Sequence, residues 1–182
     1  MKRWISVALV VLALVLAVSR ETVALERTGS YLVVLTSTPT INTGAYATGD
    51  LIGSSEISLT PAVLGNGVTV ASGVIQSVVI IDEDAQEVQI DVYFFDAEPS
   101  NTTFTDNSAF APTDADLDAL IGVASVTDWK SQSTNSMGQV LNLGMPFELA
   151  VSSTTIYAVL VSRGAPTYAA TGLTLRVAIF QD

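Results

Sequence analysis

The sequence contains no cysteine and no histidine among its 182 residues. A Ser-His-Asp triad, a Cys-His pair and a zinc site built from thiolates or imidazoles therefore cannot form within this chain. The side chain that most often moves protons near neutral pH is also missing. The lack of cysteine does not reveal the redox compartment, because a domain of this size needs no disulfide to fold.

Positive charge is also scarce. Eighteen acidic residues face seven basic ones, for a net charge of -11, and beyond residue 30 the only cations are Lys130, Arg163 and Arg176. Phosphate backbones repel such a surface, so we expect no nucleic-acid partner. An acidic body is suited instead to docking on a basic protein surface.

The N-terminal segment, residues 1–27, differs from everything that follows. Lys2 and Arg3 precede an apolar run from Ile5 to Val18. This pattern is typical of a secretory signal, and small residues at 17–19 and 22–24 would suit cleavage. The run is shorter than the roughly 20 apolar residues that span a bilayer. The alternative is a retained anchor or buried helix, with membrane contact only through residues 4–19.

Residues 28–182 predict one mainly β domain. Val88, Ile90, Val92 and Phe94 alternate with polar residues, and the closing stretch LTLRVAIF alternates in the same way. About eight to ten short strands at this spacing predict a β-sandwich or jelly-roll-like domain, preceded by the apolar N-terminal helix. Gly73, inside a long β run, predicts a bulge or bend.

One short helix is predicted in TDADLDALIG, with Thr113 as N-cap, Leu117, Leu120 and Ile121 on one face, and Gly122 at its end. SQSTNSMG is predicted to be a loop, and AEPSNTTFTDNSAFAP is the longest irregular stretch.

The acidic clusters are only weak indications of a calcium site or of a catalytic site. Asp114 to Asp118 opens like a calcium loop but has Ala119 and Ser125 where glycine and glutamate belong. DEDAQE is interpreted as a polar turn between strands. Asp96, Glu98 and Asp106 flank the longest irregular stretch, where a calcium ion could hold it down. Carboxylate pairs could hydrolyse glycosides, Asp128 beside Trp129 above all, but we expect no enzymatic activity and no cofactor.

Three residues are candidate partner contacts: Arg163, Tyr168 and Trp129. Arg163 stands in the Gly-Pro loop SRGAPTY and could meet a partner's carboxylate or pair within this acidic chain. Trp129, Tyr93 and Tyr168 could serve as platforms for a sugar ring, or could simply pack.

Five stretches together resemble a family of tailed-bacteriophage virion proteins: TGAYATGDLIG, SGVIQSVVIIDEDAQ, DVYFFDAEPSNTTFTDNSAF, TDADLDALIGV and YAVLVSRGAPTYAATGLTLRVAIFQD. They occur in the family's order and cover about residues 36–182. The resemblance implies a non-enzymatic β-sandwich protein on the capsid surface, of the head decoration or cement kind. Its partners would be the major capsid protein or other virion proteins, and it would form a homo-oligomer, which we expect to be a trimer.

The N-terminal segment departs from this resemblance. Virion proteins assemble inside the infected cell and do not normally need a secretory signal. A second interpretation is therefore an exported or membrane-anchored bacterial β-sandwich protein, periplasmic or on the cell surface. Such a protein would bind carbohydrate or form a surface assembly.

The mass of the native protein tests the two interpretations of residues 1–27. We expect the segment to be retained within a virion assembly, giving a mass that matches Met1–Asp182 or lacks only Met1. A mass beginning near Arg20 or Leu25 would instead show cleavage and favour export.

Overall fold

The computed structural model describes residues 31–60 and 71–181. Within them the chain forms one short helix, α1 (Asp114–Leu117). The strands are β1 (Tyr31–Ser37), β2 (Leu51–Leu59), β3 (Ser72–Asp82), β4 (Ile90–Phe95), β5 (Leu120–Val126), β6 (Asp128–Gln132), β7 (Asn135–Glu148), β8 (Ile156–Ser162) and β9 (Leu173–Gln181). The predicted mainly β class is confirmed. The predicted N-terminal helix and the boundary between residues 27 and 28 lie outside the described residues.

The strands form two antiparallel sheets, one in the order β1-β9-β3-β7-β6 and one in the order β2-β8-β4-β5. Their pairing is nested: β1 pairs with β9, β2 with β8, β3 with β7, and β4 with β5. The first half of the chain therefore pairs with the second half in reverse order. β6 is an addition to this scheme, joined to β7 by a tight hairpin.

The inner faces of the two sheets share one core. Alternate residues of the central strands are fully buried, as the period of two predicts. Burial of each large apolar side chain contributes about 1.5–3 kcal/mol. The residues with no exposed surface include Ile75, Val78 and Ile80 of β3, Ile90, Val92 and Phe94 of β4, and Leu173, Leu175, Val177 and Ile179 of β9.

A second apolar cluster lies on the outer face of the four-stranded sheet. It is built on Phe95 and on residues of β2 and β8, and Phe104 and Phe110 pack over it. Phe110 meets the ring of Tyr93 edge-on, with centroids 5.2 Å apart. The longest irregular stretch of the sequence is therefore a packed layer over this sheet.

The structure corrects two predicted elements. Thr113 is the N-cap, since its hydroxyl accepts from the Asp116 amide, but the helix ends at Leu117. Leu120 begins β5, because pairing with β4 satisfies its backbone in place of further helical turns. The predicted loop SQSTNSMG forms the β6–β7 hairpin. No helix in residues 31–60 and 71–181 is long and apolar enough to cross a bilayer.

Gly73 permits a close approach of backbones, whereas the bulge in β3 lies between Ile75 and Ser77. A Cβ atom at position 73 would lie 2.3 Å from the carbonyl oxygen of Phe180 and 3.1 Å from the ring of Phe147. The carbonyl belongs to the paired strand β9 and cannot yield without disturbing the ladder.

Gly73→Ala should therefore lower the free energy of unfolding by about 1–3 kcal/mol, the usual cost of overpacking. Urea denaturation of the full chain measures it. The neighbouring variant Ser72→Ala is the control and should change stability by no more than about 0.5 kcal/mol. Equal stability of the two variants would contradict the close approach at Gly73.

Candidate functional site

One end of the molecule, which we call the loop end, consists of residues 38–50, 83–89 and 163–172. Backbone hydrogen bonds join the three connections: Ile41 donates to Ala170 at 3.0 Å, Tyr46 to Pro166 at 2.9 Å, and Glu83 to Gly172 at 2.9 Å. The loop end contains Arg163 and Tyr168, two of the three predicted partner contacts.

Asp82 organises the turn that the sequence predicted in DEDAQE. Its side chain has no exposed surface. The carboxylate accepts hydrogen bonds from the amides of Asp84 at 2.9 Å, Gln86 at 2.7 Å and Glu87 at 3.1 Å. Ala85 and Glu87 adopt positive φ angles of 50° and 52°, which curl the backbone around the carboxylate. Residues 83–89 are thus a turn closed on the buried side chain of Asp82.

Asp84 joins this turn to the loop between β8 and β9. Its carboxylate accepts from the amide of Ala169 at 2.7 Å. A Cβ atom at position 172 would lie only 2.1 Å from that carboxylate, so the contact requires Gly172. The side-chain oxygen of Gln86 accepts from the Thr167 amide at 3.1 Å. The turn and the SRGAPTY loop are therefore held as one unit.

Arg163 is paired within the chain, which is the alternative that the sequence left open. Its Nε donates to the Asp91 carboxylate at 2.6 Å and its NH2 to the Tyr93 hydroxyl at 2.9 Å. Burial alone would raise the pKa of Asp91, but hydrogen bonds from Ser125, Arg163 and Gln89 hold it below its ordinary value. The charge of Arg163 is thus already matched, and its contact with a partner stays a prediction.

Tyr168 belongs to the core and is 2% exposed. Its ring lies 6.0 Å from that of Tyr46, and its hydroxyl has no hydrogen-bond partner among the described residues. Burial, together with the nearby Asp82, Tyr46 and Asp84, raises the pKa of the phenol, which therefore stays protonated. A side chain this buried offers no surface to a partner or a sugar ring, which counts against the predicted contact.

Trp129 lies on the edge strand β6 and packs against the core. Its indole covers Gly138, where a Cβ atom would come within 2.9 Å of two ring carbons. The indole nitrogen is buried without a partner among the described residues. Next to it, Lys130 forms an ion pair with Asp128. The ring thus fills a space in the protein, and its use by a partner stays a prediction.

Asp106 ties the long stretch between β4 and α1 to the loop end. It accepts from the amide of Asn42 at 2.5 Å, the hydroxyl of Tyr46 at 2.7 Å and the amide of Gly53 at 3.0 Å. Within the described residues no three acidic side chains lie where they could hold a metal ion. Asp96, Glu98 and Asp106 therefore do not form the calcium site considered from the sequence.

Asp116 anchors the other end of the same stretch. This carboxylate, 3% exposed, accepts from the hydroxyl of Thr102 at 2.6 Å, the amide group of Asn101 at 3.0 Å and the hydroxyl of Thr113 at 3.0 Å. Burial would raise the pKa of Asp116, but these hydrogen bonds, with Thr102 first, hold it below its ordinary value. Asp116 is an anchor within the fold and not a calcium ligand.

The aspartate anchors were not predicted as such. Asp82 and Asp84 lie at the end of a strand, where an Asp side chain often accepts from amides two or more residues later, so an Asx-turn signal was present. No local signal pointed to Asp106, because the groups that donate to it lie more than 50 residues away along the chain. Asp116 lies three residues after the helix cap Thr113, and this Thr-x-x-Asp spacing was a local signal for the bond between their side chains.

Comparison with models of known protein families finds no match, and comparison with curated proteins finds none either. The resemblance to tailed-phage virion proteins therefore stays a prediction.

Asp116→Asn tests the anchor through pH. Because the pKa of Asp116 is depressed in the folded state, its contribution is present above the unfolded value of about 3.9 and is lost as pH falls through the folded value. The variant should melt at a lower temperature than the wild type at pH 7, and the difference should shrink below about pH 4.

Asp118→Asn, on an exposed residue of the same turn, is the matched control and should melt like the wild type at pH 7. A difference between Asp116→Asn and the wild type that stays constant from pH 7 to pH 2 would contradict the ionised anchor.

Proposed function

We propose that this protein is a non-enzymatic structural component of a tailed-phage particle that decorates or cements the capsid. We further propose that its two sheets form a jelly roll. The observation that carries the proposal is the nested pairing of β1 with β9, β2 with β8, β3 with β7 and β4 with β5. Double-sheet jelly rolls recur in viral capsid domains and in lectins.

The stretches that carry the family resemblance also fit together in space. Asp106 of the third stretch binds Tyr46 and Gly53 of the first. Asp116 of the fourth binds Thr102 of the third, and Asp84 of the second binds Ala169 of the fifth. The five stretches therefore belong to one domain, as the resemblance to a single-domain virion protein requires.

The loop end has the properties of a rigid docking surface. Its turns are fixed by hydrogen bonds to the buried carboxylate of Asp82 and the partly exposed carboxylate of Asp84, so little conformational entropy remains to be lost on binding. Glu83 and Glu87 are exposed there, and with a net charge of -11 the protein would be drawn to basic patches of a shell protein. Binding to the assembled shell would stabilise that shell by mass action.

Fold alone does not separate this proposal from its rival, since lectins share the architecture. The rival is an exported or membrane-anchored protein that binds carbohydrate or forms a surface assembly. Its candidate sugar platforms are engaged in packing: Tyr168 is buried, Tyr93 is covered by Phe110, and Trp129 covers Gly138. These contacts favour the structural role.

Mass spectrometry of purified phage particles from the source of the sequence tests the proposal. Peptides from residues 31–181 should be present in a fixed ratio to the major capsid protein and should persist through density-gradient purification. Their absence from intact particles would overturn the virion assignment.

A charge reversal tests the docking surface. Glu83→Lys should weaken rebinding of the purified protein to particles stripped of it, and raised salt should weaken rebinding of the wild type. Glu148→Lys, an exposed acid of β7 remote from the loop end, is the control and should rebind like the wild type. Equal loss in both variants would mean that the loop end is not the surface that docks.

A further inference from the structure

Three of the four sheet edges carry protection against pairing with another chain, as natural sheets usually do. β6 is short and bears Asp128 and Lys130. The start of β2 is covered by the irregular stretch between β4 and α1, because the amide of Leu51 donates to the carbonyl of Ser108 and the amide of Asn107 donates to the carbonyl of Leu51. The rest of β2 has a register shift and carries Glu56. β5 lies against the opposite sheet, where Met145 of β7 covers Gly122.

The edge formed by β1 has none of these devices. Its sequence, YLVVLTS, has no charge and no proline. All seven of its residues pair with β9, and no described strand pairs with its other edge. The outward side chains Leu32 and Val34 are 55% and 48% exposed. The inward Val33 and Leu35 are only half-buried.

The apolar surface continues from β1 onto the neighbouring strand. Leu32 lies opposite Phe180 of β9, which is 41% exposed. Phe180 in turn lies opposite Val74 of β3. An uncharged, apolar edge whose backbone donors and acceptors have no partner among residues 31–60 and 71–181 is a template for adding a strand.

We propose that β1 pairs with β1 of a second copy of this chain, antiparallel about a two-fold axis at Val34. In this register all seven residues of each strand take part, so Val34 faces Val34, Val33 faces Leu35 and Leu32 faces Thr36. The two five-stranded sheets become one continuous sheet across the dimer. The pairing goes beyond the proposed function and does not depend on it, and it predicts a dimer in place of the trimer expected from the family resemblance.

Charge favours a second copy at the β1 edge over the β2 edge. Two chains of net charge -11 repel each other, and pairing through β2 would bring Glu56 of both copies into the interface. Pairing through β1 places no carboxylate opposite another. The charged side chain next to β1 on the outer face is Arg176 of β9, which lies opposite Thr36. The negative charge that would repel a second acidic chain is therefore low at this edge. Two-fold dimers are also the commonest oligomers.

Cysteine cross-linking tests the register, because the natural chain has no cysteine. Opposed residues of antiparallel strands have Cα atoms about 4.5–5.5 Å apart, within the range that a disulfide spans. The full-length variant Val34→Cys should form a covalent dimer under mild oxidation, and reductant should reverse it. Val151→Cys, at an apolar position that is 71% exposed on a turn, should stay largely monomeric. Equal cross-linking of both, or none in Val34→Cys, would contradict the pairing.

The oligomeric state of the full chain supplies an independent measurement. Light scattering should give the wild type twice the mass of one chain. Val34→Lys would set two cations face to face at the axis and should give a monomer, whereas Val151→Lys should remain a dimer. A monomeric or trimeric wild type would overturn the proposal, as would a Val34→Lys variant that keeps the wild-type mass.

Discussion

The architecture depends on how an acidic chain with few cations satisfies its buried carboxylates. Asp82 and Asp116, which are buried, and Asp106, which is partly exposed, are each surrounded by protein amides and hydroxyls within hydrogen-bond distance. Removing a charge from water is costly unless donors replace the lost hydration. The cost is offset here mainly by backbone and hydroxyl donors, with Arg163 beside Asp91 as the ion pair of the buried set. Each such carboxylate fixes the loop that wraps around it.

These anchors complete what the strand pairing begins. Nested pairing brings the first half of the chain against the second, but it leaves the connections at the ends of the sheets to be placed. Asp84 joins the β3–β4 turn to the β8–β9 loop, and Asp106 joins the β1–β2 connection to the long stretch over the four-stranded sheet. The result is a domain whose end loops are bonded to one another as well as to the strands they connect.

Local patterns in the sequence predicted those parts of the fold that local physics decides. Alternation identified the buried faces of β4 and β9, and Thr113 was recognised as a helix cap. The helical spacing of Leu117, Leu120 and Ile121 predicted a longer helix, and this prediction was wrong. Long-range pairing of β5 with β4 outweighed the weak local preference for helix. The sequence predicts a bulge or bend at Gly73, but the role of this glycine depends on the backbone of Phe180, about a hundred residues away along the chain.

The candidate site was harder to predict for the same reason. For Arg163 the sequence left open a partner contact or a pair within the chain, and the structure pairs it with Asp91. The burial of Tyr168 and the packing of Phe104 and Phe110 over the outer sheet depend on how distant loops fold back, which composition and periodicity do not encode. The sequence did not predict that aspartates hold the loops, because an acidic residue in a polar stretch is usually exposed to solvent.

Amide hydrogen exchange tests most directly whether the carboxylates of Asp82 and Asp84 hold the loops. The amides of Gln86 and Glu87, bonded to Asp82, and that of Ala169, bonded to Asp84, should exchange as slowly as amides of the central strands. In the variants Asp82→Ala and Asp84→Ala, protection should be lost at those amides while the central strands keep theirs. Rapid exchange of these amides in the wild type, at the rate of an open loop, would contradict the account.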